Sequence, residues 1–171
     1  MSPTTLFGVQ FTFSLIVFAA VAVWYIGPAL RLLPLNDALV PLFLVHALRY
    51  LPSSAFAPGQ IDPRVPVDAM SAIAFGDLAS AVLALAAAAF LRYRWSGAIG
   101  VAWIVNVATS IDWLYGGYLA ASRHLVTYPM GGNWYIINYY VPVIGAIHVM
   151  IFARLIDAAR LRKRADLPRS L

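Results

Sequence analysis

The chain contains no cysteine and no glutamate among its 171 residues. The absence of cysteine excludes disulfide bonds, thiolate metal ligands and cysteine nucleophiles. The only lysine is Lys163 near the C-terminus, which excludes a retinal Schiff base because that linkage needs a lysine inside the helical bundle. Charged residues make up 11% of the chain and hydrophobic residues 62%. A chain this poor in polar side chains cannot coat a soluble globule, and its composition indicates an integral membrane protein.

Five apolar stretches are each long enough to cross a bilayer. They run approximately over residues 5 to 27, 35 to 52, 70 to 91, 97 to 121 and 134 to 156. A hydrocarbon core of about 30 Å requires roughly 20 apolar residues in a helix. The sequence therefore predicts an all-α fold, a single polytopic bundle of five transmembrane helices over residues 1 to 171. These helices and their loops leave no room for a soluble domain.

Helix breakers and small residues predict further details of the bundle. The pair Gly27-Pro28 predicts the end of the first helix, and the prolines of residues 52 to 69 predict the longest loop. The third helix carries a ridge of small residues at four-residue spacing: Ala72, Gly76, Ser80, Ala84 and Ala88. Because such a ridge lets neighbouring backbones approach closely, we expect the third helix to be central.

The distribution of basic residues predicts the orientation in the membrane. Nine lie on one side of the predicted bundle: Arg31, Arg92, Arg94 and the six from Arg154 onward. Only Arg49, Arg64 and Arg123 lie on the other. The positive-inside rule then predicts that the N-terminus lies outside the cytoplasm and the C-terminus inside, as in a multi-pass protein of a bacterial inner membrane.

The basic tail carries Arg160, Arg162, Lys163, Arg164 and Arg169. In a soluble chain such a cluster would suggest nucleic acid as a partner. Next to a membrane helix it is typical of contact with anionic lipids of the cytoplasmic leaflet, and we expect no nucleic-acid partner.

Polar residues inside the predicted spans are the candidates for a functional site. They are His46 and Arg49 in the second helix, Asp77 in the third, Asn106 and Asp112 in the fourth, and His148 in the fifth. A charge at the centre of a bilayer costs about 2.5 to 3.5 kcal/mol even on the lenient insertion scale, so such residues usually face the bundle interior. They are therefore expected to line a polar pocket that opens toward the outer loops.

The rise of 1.5 Å per residue predicts the depth of each group below the outer helix end. It places His46, Asp77 and Asp112 at roughly 9, 10 and 14 Å, in one layer. Asn106 and His148 come out at roughly 22 and 21 Å, in a second layer. These depths predict that the histidine and the two carboxylates of the outer layer meet, and that His148 lies about 12 Å from His46 along the membrane normal.

The leading hypothesis is a pocket for a small lipophilic molecule, with acid–base catalysis on an isoprenoid or sterol-like substrate. Asp77 would be the acid or base, His46 its partner and Asp112 the second carboxylate. Arg49, Asn106 and His148 would bind and orient the substrate. The loop from residue 52 to residue 66 would act as a lid. Without chemistry, either carboxylate would neutralise Arg49 in a buried ion pair that fixes helix packing.

Several alternatives use the same residues. The chain could be an accessory or assembly subunit of a membrane complex, with no site of its own. Proton-coupled transport would use these groups as a relay and would require a homo-oligomer, because five helices offer no inverted repeat. Haem held by His46 and His148 is disfavoured by their predicted difference in depth. A metal site of His46, Asp77 and Asp112 has suitable ligands for Zn²⁺ or Fe²⁺ but no spaced ligand motif. The sequence leaves both the cofactor and the presence of enzymatic activity open.

Overall fold

The computed structural model describes residues 1–165. Within that range the chain is helical and has no β-strand. The five long helices are α1 (Pro3–Arg31), α2 (Leu35–Phe56), α3 (Val67–Arg92), α4 (Ala98–Ser122) and α5 (Asn133–Ala165), each long and apolar enough to cross a membrane. The predicted number and order of helices are thus confirmed. Arg169 and the predicted end of the domain at residue 171 lie outside the described residues.

The helix α1 does not end at Gly27-Pro28, and that prediction was wrong. A π-helical turn, Ala22–Ile26, precedes the pair, and the N–H of Gly27 bonds to the carbonyl of Ala22. In a regular α-helix the ring of Pro28 would clash with the carbonyl four residues earlier, but a π turn is wider. The chain then continues as the α-helical segment Gly27–Arg31. A Cβ on Gly27 would lie 2.9 Å from the Ala22 oxygen, so glycine suits this position.

The helix α2 changes type at its centre. It is α-helical over Leu35–His46 and 3₁₀-helical over Ala47–Phe56. The 3₁₀ half carries the chain past Pro52, so the loop before α3 covers only residues 57–66 and is shorter than predicted. Because a 3₁₀ helix rises about 2.0 Å per residue against 1.5 Å in an α-helix, α2 reaches further than its residue count suggests.

The helix α3 packs between α2 and α4, which confirms its predicted central position. On its small-residue ridge Ser80, Ala84 and Ala88 are buried. The next ridge position toward the N-terminus, Gly76, faces the carboxylate of Asp112 on α4. The helix α5 packs against α1, α2 and α4, whereas α1 packs mainly against α5 and exposes most of its apolar side chains.

The two ends of the bundle differ in what fills them. We call the end with segments 57–66 and 123–132 the loop end, and the end with segments 32–34 and 93–97 the tail end. An apolar cluster fills the tail-end half of the bundle: Leu30, Ala38, Leu39, Leu42, Phe43, Ala84, Ala87, Ala88, Leu91, Ala98, Ala102, Val105, Ile147, Ile151 and Leu155. The polar side chains of the spans lie on the loop-end side of this cluster.

Candidate functional site

A buried arginine, Arg49, joins three helices on the loop-end side of the apolar cluster. Its side chain is only 2% exposed. Its Nε donates to Oδ1 of Asp77 on α3 over 2.7 Å, and its second terminal nitrogen donates to Oδ2 of Asp112 on α4 over 2.6 Å. Its first terminal nitrogen donates to the carbonyl of Thr109 over 2.8 Å. The guanidinium therefore ties α2 to both neighbours with charge-assisted bonds, the strongest class of protein hydrogen bond.

One further hydrogen bond completes this Arg49 cluster, which consists of Arg49, Asp77, Asp112, Ser80 and the Thr109 carbonyl. The hydroxyl of Ser80, one turn after Asp77 on α3, donates to Oδ2 of Asp112 over 3.0 Å. Each of the two carboxylates accepts its hydrogen bonds from residues 1–165 at one oxygen only, which is Oδ1 in Asp77 and Oδ2 in Asp112. The second oxygen of each carboxylate receives no hydrogen bond from these residues, and Oδ1 of Asp112 lies beside Gly76 of α3. The Asp77 side chain is 15% exposed and that of Asp112 27%.

The predicted layers were partly wrong, and the 3₁₀ half of α2 explains why. Counted from Phe56 at about 2.0 Å per residue, Arg49 lies about 14 Å and His46 about 20 Å below the loop end. Asp77 and Asp112 each lie ten residues inside their helices, at about 15 Å. The structure therefore brings the two carboxylates to Arg49 and not to His46.

The two histidines form a separate pair behind the Arg49 cluster. The ring centroids of His46 and His148 are 4.3 Å apart, so the predicted 12 Å offset was wrong. Nδ1 of His148 shares hydrogen bonds of 2.9 Å with the Ser110 hydroxyl and with Oδ1 of Asn106. Nε2 of His148 and both ring nitrogens of His46 are buried without a hydrogen-bond partner among residues 1–165. The predicted partnership of His46 with Asp77 is absent from the hydrogen bonds of these residues.

The geometry of this pair bears on the haem and metal alternatives. An iron between two imidazoles lies about 2 Å from each ligating nitrogen, with the flat macrocycle between the rings. Two rings in direct contact leave no such gap. Within residues 1–165 no group of three or more histidine and carboxylate side chains is close enough to hold a metal ion. The predicted set of His46, Asp77 and Asp112 is divided between the pair and the cluster.

A cavity of about 600 Å³ lies beside the Arg49 cluster. All five helices contribute to its wall, and the side chains of Arg49, Asp77 and Asp112 form its charged part. The rest is largely apolar and aromatic, and includes Phe7, Phe11, Met70, Ile73, Trp113, Ile137, Tyr140 and Ile144. Its volume falls within the range of about 300 to 1,000 Å³ typical of small-molecule sites. His46, Asn106 and His148 are not among the described residues that line it.

The segment between α4 and α5 contributes to the wall of the cavity at the loop end. His124, Val126 and Thr127 line it, together with Thr4 of α1. Of the predicted lid, residues 52 to 66, only Pro52 contributes to the lining in the described chain. The rest of this segment packs against the segment 123–132. The amide of Asp62 donates to the Pro129 carbonyl over 3.0 Å, and Val65 is buried in a cluster with Leu125 and Met130.

The segment 57–66 also carries its own ion pair, outside the membrane-spanning helices. The Arg64 guanidinium donates to both carboxylate oxygens of Asp62, over 2.9 and 2.8 Å. These hydrogen bonds lower the pKa of Asp62 to about 2. The carboxylate is therefore ionised at neutral pH and favours the compact conformation of the loop.

Several residues of the site were not singled out from the sequence as site residues. Ser80 was assigned to packing, although its position one turn after Asp77 on the same helix face was a usable signal. Tyr140 donates to the Val45 carbonyl over 2.8 Å and lines the cavity. Asn133, the first residue of α5, also lines it. Nothing in the local sequence marked Tyr140 or Asn133, because their role depends on how α5 packs.

Comparison with known proteins gives a family and no assigned activity. No curated protein and no solved structure matches the chain. A family model described as a domain of unknown function, DUF8737, matches residues 6–156. Since this match covers most of the five-helix bundle, the chain belongs to the DUF8737 family.

Proposed function

We propose that the protein binds a small lipophilic molecule in the cavity beside the Arg49 cluster. The observation that carries this proposal is the cavity itself, about 600 Å³ with largely apolar and aromatic walls. Asp77 and Asp112 are both partly exposed there, each with one oxygen free of hydrogen bonds from residues 1–165. An apolar pocket with a few convergent polar groups is the usual form of a ligand site.

The same two carboxylates support acid–base chemistry on the bound molecule. A general acid or base must reach the proton that it transfers, and the side chains of Asp77 and Asp112 both line the cavity. Arg49 holds both carboxylates in place. His46 and His148 are not among the residues that line the cavity, so we do not propose that they touch the substrate.

The proposed setting is a multi-pass arrangement with the loop end outside the cytoplasm. The five apolar helices and the excess of basic residues at the tail end support it. The cavity would then open to the outer leaflet of a bacterial inner membrane, and the exposed helical residues Arg160, Arg162, Lys163 and Arg164 would meet anionic lipids at the inner face.

The test is to extract the purified protein with organic solvent and to identify the retained molecules by mass spectrometry. Gly117 lines the cavity, and a Cβ there meets no atom within 4 Å, so Gly117→Leu should fill part of the space without a clash. Gly100 on the same helix also has open space at its Cβ but lies away from the cavity, which makes Gly100→Leu the matched control.

We expect the wild type and Gly100→Leu to retain the same lipophilic molecule and Gly117→Leu to lose it. If the wild type retains nothing beyond the bulk lipids that the Gly117→Leu variant also carries, the ligand-binding proposal is wrong. The role of an accessory subunit would then be the remaining hypothesis.

A further inference from the structure

The charges that line the cavity do not balance. Within the described residues the formally charged side chains of the lining are Arg49, Asp77 and Asp112, one cation against two carboxylates. The apolar cluster on the tail-end side offers no compensating charge. An uncompensated negative charge is costly in a low-dielectric interior, so a positive group or a proton in the cavity would be favoured.

A positive group on a ligand would contact one of the two carboxylates. Arg49 and Ser80 occupy Oδ2 of Asp112, and its Oδ1 receives no hydrogen bond from residues 1–165. The Asp112 side chain is also the more exposed of the two carboxylates. Oδ1 lies beside Gly76 of α3, so a donor group on a ligand would approach the exposed part of the Asp112 side chain and need not displace Arg49.

The cavity wall adds groups that suit a cation. Phe7, Phe11, Trp113 and Tyr140 all line the cavity. Aromatic faces attract a nearby ammonium group, by about 2 kcal/mol or more where water is excluded. Aliphatic side chains such as Ile73 and Ile144 leave the remaining wall apolar.

An independent polar group, Asn133, lies in the cavity wall nearer the loop end. Asn133 is buried, lines the cavity and accepts a hydrogen bond of 2.9 Å from the Ser54 hydroxyl at its Oδ1. Its Nδ2 is buried with no partner among residues 1–165. Since Asn133 begins α5 and Asp112 lies ten residues inside α4, the two groups differ by about 15 Å in depth. A buried amide donor without a partner is rare in a folded protein, so a ligand acceptor that reaches Asn133 would be favoured.

We propose that the ligand is a lipophilic amine, with its ammonium group on Asp112 and an acceptor oxygen near Asn133. This inference rests on the proposed function of the cavity and names the class of molecule that it takes. The probes are dodecylamine and dodecanol, which differ in the head group alone. The full chain is placed in lipid nanodiscs, incubated with each probe, separated by gel filtration and analysed for retained probe by mass spectrometry, with empty nanodiscs as the background.

We expect the wild type to retain about tenfold more dodecylamine than dodecanol, since an ion pair in a dry site readily contributes a factor of this size. Asp112→Asn keeps the shape of the side chain and neutralises the cluster, and should reduce amine retention to the level of the alcohol. Asp77→Asn makes the same change in charge and serves if the first variant unfolds at a lower temperature than the wild type.

A second pair of probes tests the position of the oxygen. Aminododecanol carries an amine and a hydroxyl at opposite ends of the chain, and the wild type should retain it better than dodecylamine. Asn133→Leu should remove this preference while leaving the preference for amine over alcohol.

The outcomes separate the two proposals. If the wild type retains amine and alcohol equally and Gly117→Leu loses both, the cavity binds lipophilic molecules but the inference about the amine is wrong. If the wild type retains neither probe above the level of Gly117→Leu, both proposals fail.

Discussion

At the scale of single residues, Arg49 is the centre of the site. It is buried and donates hydrogen bonds to Asp77, to Asp112 and to the Thr109 carbonyl. Removing one partner of a buried ion pair leaves an uncompensated charge, whereas a group with two partners can lose one and keep the other. The consequences of substitution should therefore differ sharply among the three charged residues.

The first prediction concerns this asymmetry. Arg49→Gln leaves two carboxylates without their cation and should lower the free energy of unfolding by about 3 kcal/mol or more. Asp77→Asn should cost less, because Asp112 continues to neutralise Arg49. The double variant should recover part of the loss of Arg49→Gln. Equilibrium unfolding in mixed detergent and SDS measures these values, and strict additivity would contradict the network.

The second prediction concerns His46. Its imidazole is 1% exposed, and neither ring nitrogen has a hydrogen-bond partner among residues 1–165. A buried polar group without a partner is destabilising, so His46→Leu should leave the free energy of unfolding within about 1 kcal/mol of the wild type or raise it. Asn106→Leu, which removes a partner of His148, should instead lower it by about 1 to 3 kcal/mol.

A large loss of stability in His46→Leu would contradict this view. It would mean that the imidazole binds a buried water molecule or ion between His46 and His148. The histidine pair would then again be a candidate for a functional role.

At the scale of elements, the closeness of α3 and α4 depends on one glycine. A Cβ on Gly76 would collide with the carboxylate of Asp112. Ordinarily glycine to alanine in a helix interior is stabilising by about 0.5 to 1 kcal/mol, because glycine has more backbone freedom to lose. At Gly76 the collision should make the change from glycine to alanine destabilising.

The third prediction follows from this contact. Gly76→Ala should lower the free energy of unfolding and displace Asp112 from Arg49, with reduced retention of the cavity ligand. Gly100→Ala, at an open position of α4, should be neutral or stabilising and should leave retention unchanged. Unfolding curves and the extraction assay test both variants, and a stabilising Gly76→Ala would show that α3 and α4 are less closely packed at this level.

At the scale of the whole molecule, the charged groups of the candidate site lie in one half of the bundle. The Arg49 cluster, the histidine pair and the cavity lie on the loop-end side, and the cluster that contains Phe43, Leu91 and Ile151 fills the tail-end side. The tail-end side also carries polar side chains, since Asn36 and Arg154 donate to the carbonyls of Leu91 and Leu33. The charges beside the cavity are the reason for the proposed binding site on the loop-end side.

The fourth prediction concerns the orientation of this half. A fluorescent protein that matures only in the cytoplasm should be fluorescent when fused after Leu171, which lies beyond the described residues. It should be dark when inserted between Gly59 and Gln60 of the segment 57–66. We expect this pattern because the excess of basic residues at the tail end favours a cytoplasmic position for that end. The opposite pattern would place the cavity on the cytoplasmic side and would overturn the proposed setting.

The sequence by itself determined the class of protein and its helices. Hydrophobic length is a local property, so the five helices could be predicted from the chain. Their bounds were wrong where a helix breaker was accommodated, and at α5, which continues past the predicted residue 156 to Ala165. A π-helical turn directly before Gly27-Pro28 lets the first helix continue, and Pro52 lies within a 3₁₀ helix. The sequence also indicated the polar residues that must face the interior, because a charge such as Asp77 or Asp112 is costly in lipid.

From the sequence, an ion pair of Arg49 with either carboxylate was one alternative, and only the tertiary structure decided that Arg49 contacts both and that neither carboxylate hydrogen-bonds to His46. A rise of 1.5 Å per residue placed His46 beside Asp77, whereas the 3₁₀ half of α2 places Arg49 there and moves His46 to His148. This change of helix type within α2 was not predicted from the sequence. The cavity and the open amide of Asn133 likewise arise between helices. Long-range packing therefore determines which polar groups share a site, while local hydrophobicity determines only that they are buried.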